Sequence, residues 1–279
     1  MPSVVGLGDL ANEVVSGFET YPEYEVYRIG VGLKDTAHTK GMKKQDSVEL
    51  YEQNPPATKR FFKNIQDEVI FVCTGAEPES GAVLRILETI KDKKITVIYL
   101  RKDLDLVSQK EVLQDRVAFG ILQNYARSGL FERIILIDMN QIDEILGDVP
   151  VSEYAERQSQ LVASTYHMIQ VFQHSQPIMG NMLPSESTNR ISTLGLSEIG
   201  ESDDKWFFEL NKSFEVYYLY AVNENLLNQD KRLLNKIKTQ IKERAQENTK
   251  TMFGIFPTDY DQNYVFCLAN TKIVQGEKN

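Results

Sequence analysis

The chain has 279 residues, of which 42% are hydrophobic and 25% are charged, as in an ordinary globular protein of one large domain or two smaller ones. Its 31 Lys and Arg residues against 40 Asp and Glu residues give a net charge of −9, which argues against nucleic acid or an anionic membrane as a partner. No apolar run approaches the ~18 residues of a membrane-spanning helix, and the chain begins with a predicted strand, not a secretory signal.

The first predicted elements form a βαβ unit. Residues 3–8 are predicted as a strand, and Asp9 as the N-cap of a helix with Val14 and Phe18 on its inner face. Residues 25–32 are predicted as the second strand. Strand, helix and strand over this length predict a parallel sheet with a right-handed crossover. The polar segment 34–66 is predicted as a long excursion with one short helix near 46–53.

A buried strand and the loop after it are central to the predicted fold. Residues 69–72 are a continuous apolar run, which is typical of a strand buried on both faces. A turn over 76–81 and a helix over 82–90 follow. Backbone N–H groups and the helix dipole bind phosphate at such a junction. This loop, however, carries Glu77 and Glu79, whose charge would repel a phosphate.

The middle of the chain continues the same alternation of strands and helices. Residues 94–100 and 133–138 are predicted strands. The helix between them is predicted to end at Gly129. Its predicted inner face consists of Leu113, Val117, Ile121, Leu122 and Tyr125. One long helix is predicted from Pro150 to about Gln176.

A change of composition marks a joint in the last third of the chain. Residues 181–204 are rich in Ser, Gly, Asn and Glu, which favours a domain boundary. Beyond it we predict a strand over 214–222 and a charged amphipathic helix over 230–245. Residues 252–256 and 264–273 are predicted to pair as an antiparallel hairpin.

The sulfur and imidazole side chains show no pattern of metal ligands. Cys73 and Cys267 both lie in apolar strand-like runs, which predicts reduced core thiols in a cytoplasmic protein. His38 lies in a polar loop, and His167 and His174 lie on one predicted helix. No Cys/His spacing suggests zinc, so no metal site is predicted.

The order of elements resembles that of the tubulin/FtsZ superfamily over essentially the whole chain. Three stretches carry the resemblance: the opening strand and turn (4–15, VVGLGDLANEVV), the helix-strand segment that leads from 117–122 to Asn140, and the C-terminal strands with their Pro-Asp turn (254–273, GIFPTDYDQNYVFCLANTKI). The resemblance implies an α/β protein with a parallel-sheet nucleotide domain at 1–150, a long central helix at 151–182 and a small α+β domain at 183–279.

The resemblance also implies where GTP or GDP would bind. The candidate residues are Gly6, Gly8 and Asn12 in the first turn, Gly75, Ser80 and Gly81 in the loop after the central strand, and Asn140, Tyr154 and Gln158 or Ser159 around the base. Tyr154 could equally be a half-buried core residue. The loop departs from the glycine-rich family signature, because Glu77, Pro78 and Glu79 replace glycines and Pro78 removes one N–H donor.

Hydrolysis has the weakest sequence support. In the superfamily, acidic residues of the next subunit polarise the attacking water. Only Asn181 and Glu186 match that segment here, so the chain is expected to be at most a weak GTPase. No nucleophilic triad or strand-turn-helix elbow is present either.

These observations leave several functions open. The first is an FtsZ-like, cytoskeletal filament subunit of the kind that phages and plasmids encode. It would assemble head to tail with degraded GTP binding, in the bacterial or infected-host cytoplasm. The second is a nucleotide-free structural or regulatory protein that binds an unknown protein partner. A Rossmann dinucleotide site is a weaker alternative: Gly6, Gly8 and Ala11 fit its motif, but the second strand lacks the acidic residue that binds ribose. No nucleic acid and no direct membrane contact are expected, and a division-ring role is disfavoured because the chain ends soon after its last predicted strand.

Overall fold

The computed structural model describes residues 2–201 and 203–276. Contacts between residues divide it into two compact units: unit 1 consists of residues 2–164 and 274–276, and unit 2 of residues 165–273. No helix among the described residues has the length and apolar character needed to cross a membrane.

Unit 1 is a parallel α/β structure, as the βαβ pattern predicts. Its strands are β1 (Ser3–Leu7), β2 (Glu25–Val31), β3 (Thr39–Met42), β4 (Glu68–Cys73), β5 (Lys94–Arg101) and β6 (Arg133–Asp138). Its helices are α1 (Asp9–Ser16), α2 (Val48–Gln53), α3 (Val83–Glu88), α4 (Gln109–Ser128), α5 (Met139–Leu146) and the first part of α6 (Tyr154–Gln173). The strand order is β3-β2-β1-β4-β5-β6, and every neighbouring pair is parallel. Neither the strand β3 nor the helix α5 is among the elements predicted from the sequence.

Local chemistry accounts for the helix ends in unit 1. Helix α4 begins at a capping box, in which Ser108 and Glu111 bond to each other's backbone N–H, and ends at Gly129 with φ 86°, as predicted. The predicted N-cap at Asp9 is wrong. Helix α1 already begins at Asp9, and the cap position is taken by Gly8 at φ 89°, a left-handed conformation that glycine adopts readily.

The predicted inner face of α4 is wrong for Leu113, Val117 and Ile121, whereas Leu122 is buried as predicted. Leu113 and Val117 are 59% and 62% exposed. The buried side instead carries Asp115, Phe119, Leu122, Gln123 and Ala126. Apolar periodicity identifies a stripe along a helix but not its orientation. Here the polar side chains face inwards because they have partners: Tyr99 Oη donates to Asp115 Oδ1 at 2.6 Å, and Gln123 exchanges two hydrogen bonds with the backbone of Gln275.

Unit 2 is built on a mixed sheet. Its strands are β7 (Met179–Gly180), β8 (Ile191–Ser197), β9 (Lys205–Trp206), β10 (Glu215–Asn223), β11 (Lys250–Thr258) and β12 (Tyr264–Thr271), and its helices are the last part of α6, α7 (Glu224–Gln229) and α8 (Leu233–Arg244). The strand order is β8-β12-β10-β11-β7, with β9 paired to β8. Leu233 and Ile237 of α8 pack with Tyr218 and Tyr220 of β10 in the core.

The predicted C-terminal hairpin does not form. Strand β10 lies between β11 and β12, parallel to the first and antiparallel to the second, so that Tyr218 faces Phe253 on one side and Cys267 on the other. A short connection joins β11 and β12, but Pro257 and Thr258 of the predicted turn belong to β11. Sequence proximity does not decide which strand becomes the neighbour. The most apolar strand, β10, takes the central position because there it is buried almost throughout. Cys73 and Cys267 are free and buried, which confirms the prediction of core thiols.

Candidate functional site

The first turn of unit 1 packs closely on its own strands. Asn12 Nδ2 donates to the carbonyl oxygen of Ile29 at 3.0 Å. A Cβ on Gly6 would lie 2.7 Å from Asn12 Oδ1 and 3.1 Å from the carbonyl oxygen of Ala11. The absence of a side chain at Gly6 therefore lets Asn12 reach from α1 to β2. The predicted residues Gly6 and Asn12 are brought together, in an arrangement that joins two strands.

A carboxylate of the chain itself occupies the N-terminal end of α1. Glu77 is buried, and its Oε1 accepts the backbone N–H of Leu10 at 3.1 Å. Lys102 Nζ lies 2.7 Å from the same oxygen. A Cβ on Gly8 would collide with Glu77 Oε2. The helix end that offers N–H groups and positive potential to an anion is thus filled by Glu77.

The loop that carries Glu77 is held by one side chain of α4. Gln114 Nε2 lies 2.7 Å from the carbonyl oxygen of Gly75, 2.6 Å from that of Glu77 and 3.0 Å from Ser80 Oγ. The backbone N–H of Ser80 donates to the carbonyl oxygen of Glu77 at 3.0 Å, within the short 3₁₀ helix Pro78–Ala82. Ser80, predicted to bind phosphate, is therefore engaged within the protein.

The two glycines of the loop have packing roles. A Cβ on Gly75 would collide with Tyr99 Oη and lie 2.8 Å from Asp115 Cα. A Cβ on Gly81 would collide with the carbonyl oxygen of Val48 at the start of α2. Both glycines permit close approach of the loop to neighbouring elements.

The surroundings of Glu77 are acidic. Glu79 is partly buried, and its pKa is raised by that burial and by the negative charges of Glu77 and Asp9. Tyr51 Oη lies 3.4 Å from Glu79 Oε1. Three carboxylates around one helix end repel further anions, and Lys102 is already paired. The residues present do not fit a nucleoside phosphate at this end of α1.

A second group of polar residues forms where the base was predicted to bind. Gln158 Nε2 donates to Asp143 Oδ1 at 2.6 Å and to Tyr154 Oη at 2.9 Å. Burial raises the pKa of Tyr154 to about 12, together with the hydrogen bond to Asp143 and the charges of Asp143 and Glu13. Tyr154 and Gln158 are one helical turn apart and share a face of α6.

Helix α5 carries one residue of this polar group, Asp143, and one residue of the predicted base site, Asn140. Asp143, on α5, was missed, because nothing in the sequence marks α5 as part of a site. The backbone N–H of Asn140 donates to Asp138 Oδ1 at 3.0 Å, so Asn140 belongs to the first turn of α5.

The predicted hydrolytic residues lie in unit 2 and have local partners. Asn181 Oδ1 accepts the backbone N–H of Phe253 at 2.7 Å, and the Asn181 N–H donates to the Phe253 carbonyl oxygen at 3.0 Å. Asn181 therefore continues the pairing of β7 with β11 by one residue. The Glu186 residue is exposed, and its backbone N–H donates to Glu215 Oε1 at 3.0 Å.

Glu215, which sequence reasoning missed, organises this segment. Ser185 Oγ donates to its Oε2 at 2.6 Å. Burial alone would raise the pKa of Glu215, but the hydrogen bonds from Ser185, Glu186, Asn189 and Asn270 lower it below its ordinary value. The available signal was a lone carboxylate at the start of an apolar strand.

Metal-ligating side chains do not cluster in the part of the chain that the structure describes. Within residues 2–201 and 203–276, no group of three or more His, Cys, Asp or Glu side chains could hold a metal ion.

Comparison with known proteins shows similarity in fold. Neither a protein-family model nor a curated protein sequence matches this chain. An FtsZ dimer from M. jannaschii has a TM-score of 0.66 at 10% identity, with 96% of this chain and 87% of that chain covered. CetZ from Methanosaeta thermophila has a TM-score of 0.63 at 11% identity, covering 98% and 87%.

A third solved structure, a GTPγS-form protofilament of TubZ from Bacillus thuringiensis serovar israelensis, has a TM-score of 0.66 at 15% identity, covering 95% and 86%. Each likeness spans nearly the whole of this chain, at an identity that bears on the fold alone. The chain therefore has the fold of the tubulin/FtsZ superfamily, as the order of its sequence elements predicts.

Proposed function

We propose that this chain is a self-assembling subunit of the tubulin/FtsZ fold, in which Glu77 takes the place of a nucleotide phosphate. The observation that supports this proposal most directly is the position of the Glu77 carboxylate. It is bound to the N–H of Leu10 and to Lys102 at the N-terminal end of α1. In this proposal the subunits join head to tail, with degraded GTP binding and little or no GTP hydrolysis.

Tethering makes Glu77 a strong competitor. A phosphate would have to displace a carboxylate that is attached to the same chain, is buried and already neutralises Lys102. An attached group competes at a high effective concentration, because its binding is intramolecular. Displacement would also leave the Glu77 carboxylate in a buried site without its charged partner, which costs free energy. These arguments support weak or absent triphosphate binding.

Self-assembly is supported by the fold and by the kind of structures that share it. The TubZ structure similar to this chain is a protofilament. A heterologous contact, in which different surfaces of successive subunits meet, generates filaments when it does not close into a ring. Two residues support the proposal of little or no GTP hydrolysis. The Asn181 side chain is bound to the backbone of β11, and Glu186 is the lone carboxylate of the segment 181–188.

A second candidate is a nucleotide-free structural or regulatory protein that binds a protein partner. It is favoured by the Gln114 contacts, which hold the loop in a closed form. The hydrogen-bonded residues Tyr154, Gln158 and Asp143 support weak binding of GTP or GDP through contacts to the guanine base alone.

The cellular location is part of the proposal. The free, buried cysteines support a reducing compartment, and we propose the cytoplasm.

The test combines assembly with nucleotide binding. Sedimentation and negative-stain microscopy are done with and without GTP, and GTP is titrated calorimetrically into the wild type. We expect assemblies that form without GTP and are unchanged by it. Tight, sub-micromolar GTP binding by the wild type, or filaments that require GTP, would contradict the nucleotide part of the proposal. A monomer under all conditions would contradict self-assembly.

A further inference from the structure

Helix α4 carries an apolar ridge on its solvent side. Leu113, Val117 and Ile121 are 59%, 62% and 37% exposed. They follow one another at intervals of four residues, so their side chains form one row along the helix. A contiguous apolar row on a surface is unusual for a monomeric protein and indicates an interaction surface. The ridge belongs neither to the core nor to the site around Glu77.

The ridge forms one wall of a groove in unit 1. The groove has a volume of about 510 Å³, and its opposite wall is formed by α2 and by the start of α3. The α2 wall contributes Val48 to the lining, and the start of α3 contributes Leu84. Apolar side chains therefore stand on both walls, with open space between them.

The two walls differ in charge. Lys110 is the charged residue that α4 contributes to the lining of the groove, and it is exposed. The charged residues of α2 are Glu49 and Glu52, and both are exposed and acidic. The walls face each other: a hydrogen bond from Ser47 lowers the pKa of Glu49, and the charge of Lys110 across the groove contributes to the same shift.

We propose that this groove is a side-by-side contact between two copies of this chain. A two-fold axis along the groove places the acidic wall of one copy opposite the basic wall of the other, and the α4 ridge opposite Val48 and Leu84. An axis across the groove would place the acidic wall of one copy opposite the acidic wall of the other, where like charges repel. The charge pattern therefore selects the axis along the groove. Such an isologous contact needs one surface that complements itself, and this groove has both signs of charge and apolar side chains on both walls.

The overall charge of the chain makes a local attraction necessary. At −9, two copies repel each other at long range. The basic wall is where an acidic surface of another copy can approach with favourable electrostatics. This side-by-side contact is proposed in addition to the head-to-tail contact above, and it applies equally to single subunits and to pairs of strands.

The experiment compares two substitutions of the same kind on the full chain. Val117→Glu places a charge on the ridge, whereas Val151→Glu places it at a residue that is 94% exposed and outside the groove. Both positions are on the surface, and circular dichroism checks the fold of each variant. Sedimentation velocity over a concentration series measures association, and microscopy counts paired against single strands if strands form. We expect Val117→Glu to weaken side-by-side association about tenfold or more, and Val151→Glu to match the wild type.

A charge swap tests the arrangement itself. Lys110→Glu and Glu49→Lys should each weaken association, and the double variant should restore it, because each reversal is compensated across the two-fold axis. A wild type that shows no side-by-side association at any concentration would overturn the proposal, whatever else binds the groove. Equal association of Val117→Glu and Val151→Glu would also overturn it. Failure of the double variant to recover would refute the proposed axis.

Discussion

Lys102 Nζ lies 2.7 Å from Glu77 Oε1, the same oxygen that accepts the backbone N–H of Leu10 at the start of α1. A helix N-terminus and an ammonium group together make an anion site. In this protein the anion is a side chain of the chain itself. Several testable consequences depend on that arrangement.

Removing the carboxylate should create a phosphate site. In Glu77→Ala, the N–H of Leu10 and the ammonium group of Lys102 lose their anion, and inorganic phosphate or pyrophosphate should bind. Isothermal titration calorimetry measures this against the wild type, which should show no binding. Glu79→Ala is the matched control, because Glu77 remains in place. The prediction fails if Glu77→Ala binds phosphate no better than Glu79→Ala does.

Removing the cation should destabilise unit 1. Lys102→Met leaves Glu77 buried without its charged partner, which we expect to cost about 1–3 kcal/mol in the free energy of unfolding, since Lys102 is itself only partly buried. Urea denaturation gives the value. Lys93→Met serves as control, because its partner Asp67 is exposed and such pairs contribute little. Equal effects of the two substitutions would argue against a special role for the Glu77–Lys102 pair.

Gly8 and Glu77 should be energetically coupled. Gly8→Ala would introduce a side chain at φ 89° and ψ 178°, a region essentially restricted to glycine, which costs about 1–3 kcal/mol, and its Cβ would also collide with Glu77 Oε2. In a Glu77→Ala background only the backbone cost should remain. A double-mutant cycle by urea denaturation should give a coupling of about 1 kcal/mol or more. Simple additivity of the two effects would show that Glu77 does not press against Gly8.

Gln114 should control the order of the loop. Gln114→Leu removes the amide that lies within 2.6–3.0 Å of two carbonyl oxygens and Ser80 Oγ, at an expected cost of about 1–2 kcal/mol. Hydrogen exchange should become faster at residues 76–80 in particular. Gln109→Leu, at an exposed position of the same helix, should leave that exchange unchanged. Unchanged exchange in Gln114→Leu would contradict the role of this side chain.

Unit 2 should lose stability in acid through Glu215. Its folded-state pKa is lowered, against the effect of burial, by hydrogen bonds from Ser185, Glu186, Asn189 and Asn270. A lowered pKa means that the stabilisation is complete above the unfolded value of about 4.3 and is lost as the pH falls through the folded value. The urea midpoint of the wild type should therefore fall more steeply below pH ~4 than that of Glu215→Gln. Parallel pH profiles for the two proteins would exclude this contribution.

The sequence alone was sufficient for the order of the main elements and for the fold, but not for short elements such as β3 and α5. Continuous apolar runs such as 69–72 and helical periodicities are local signals, because each arises from burial of one short segment. The resemblance to the tubulin/FtsZ superfamily followed from the order of those segments. The acidic residues of the loop after β4 were also visible, and with them the expectation that phosphate would be disfavoured there.

Only the tertiary structure decided what those residues contact. Lys102 comes from the segment after β5 and Leu10 from α1, and no sequence spacing relates either to Glu77, since the contact depends on how three loops meet at one end of a parallel sheet. The exposed ridge of α4 and the central place of β10 were decided in the same way. Which face of a helix is buried, and which strand becomes a neighbour, depend on the competition of all segments for the core, and a local pattern does not contain that information.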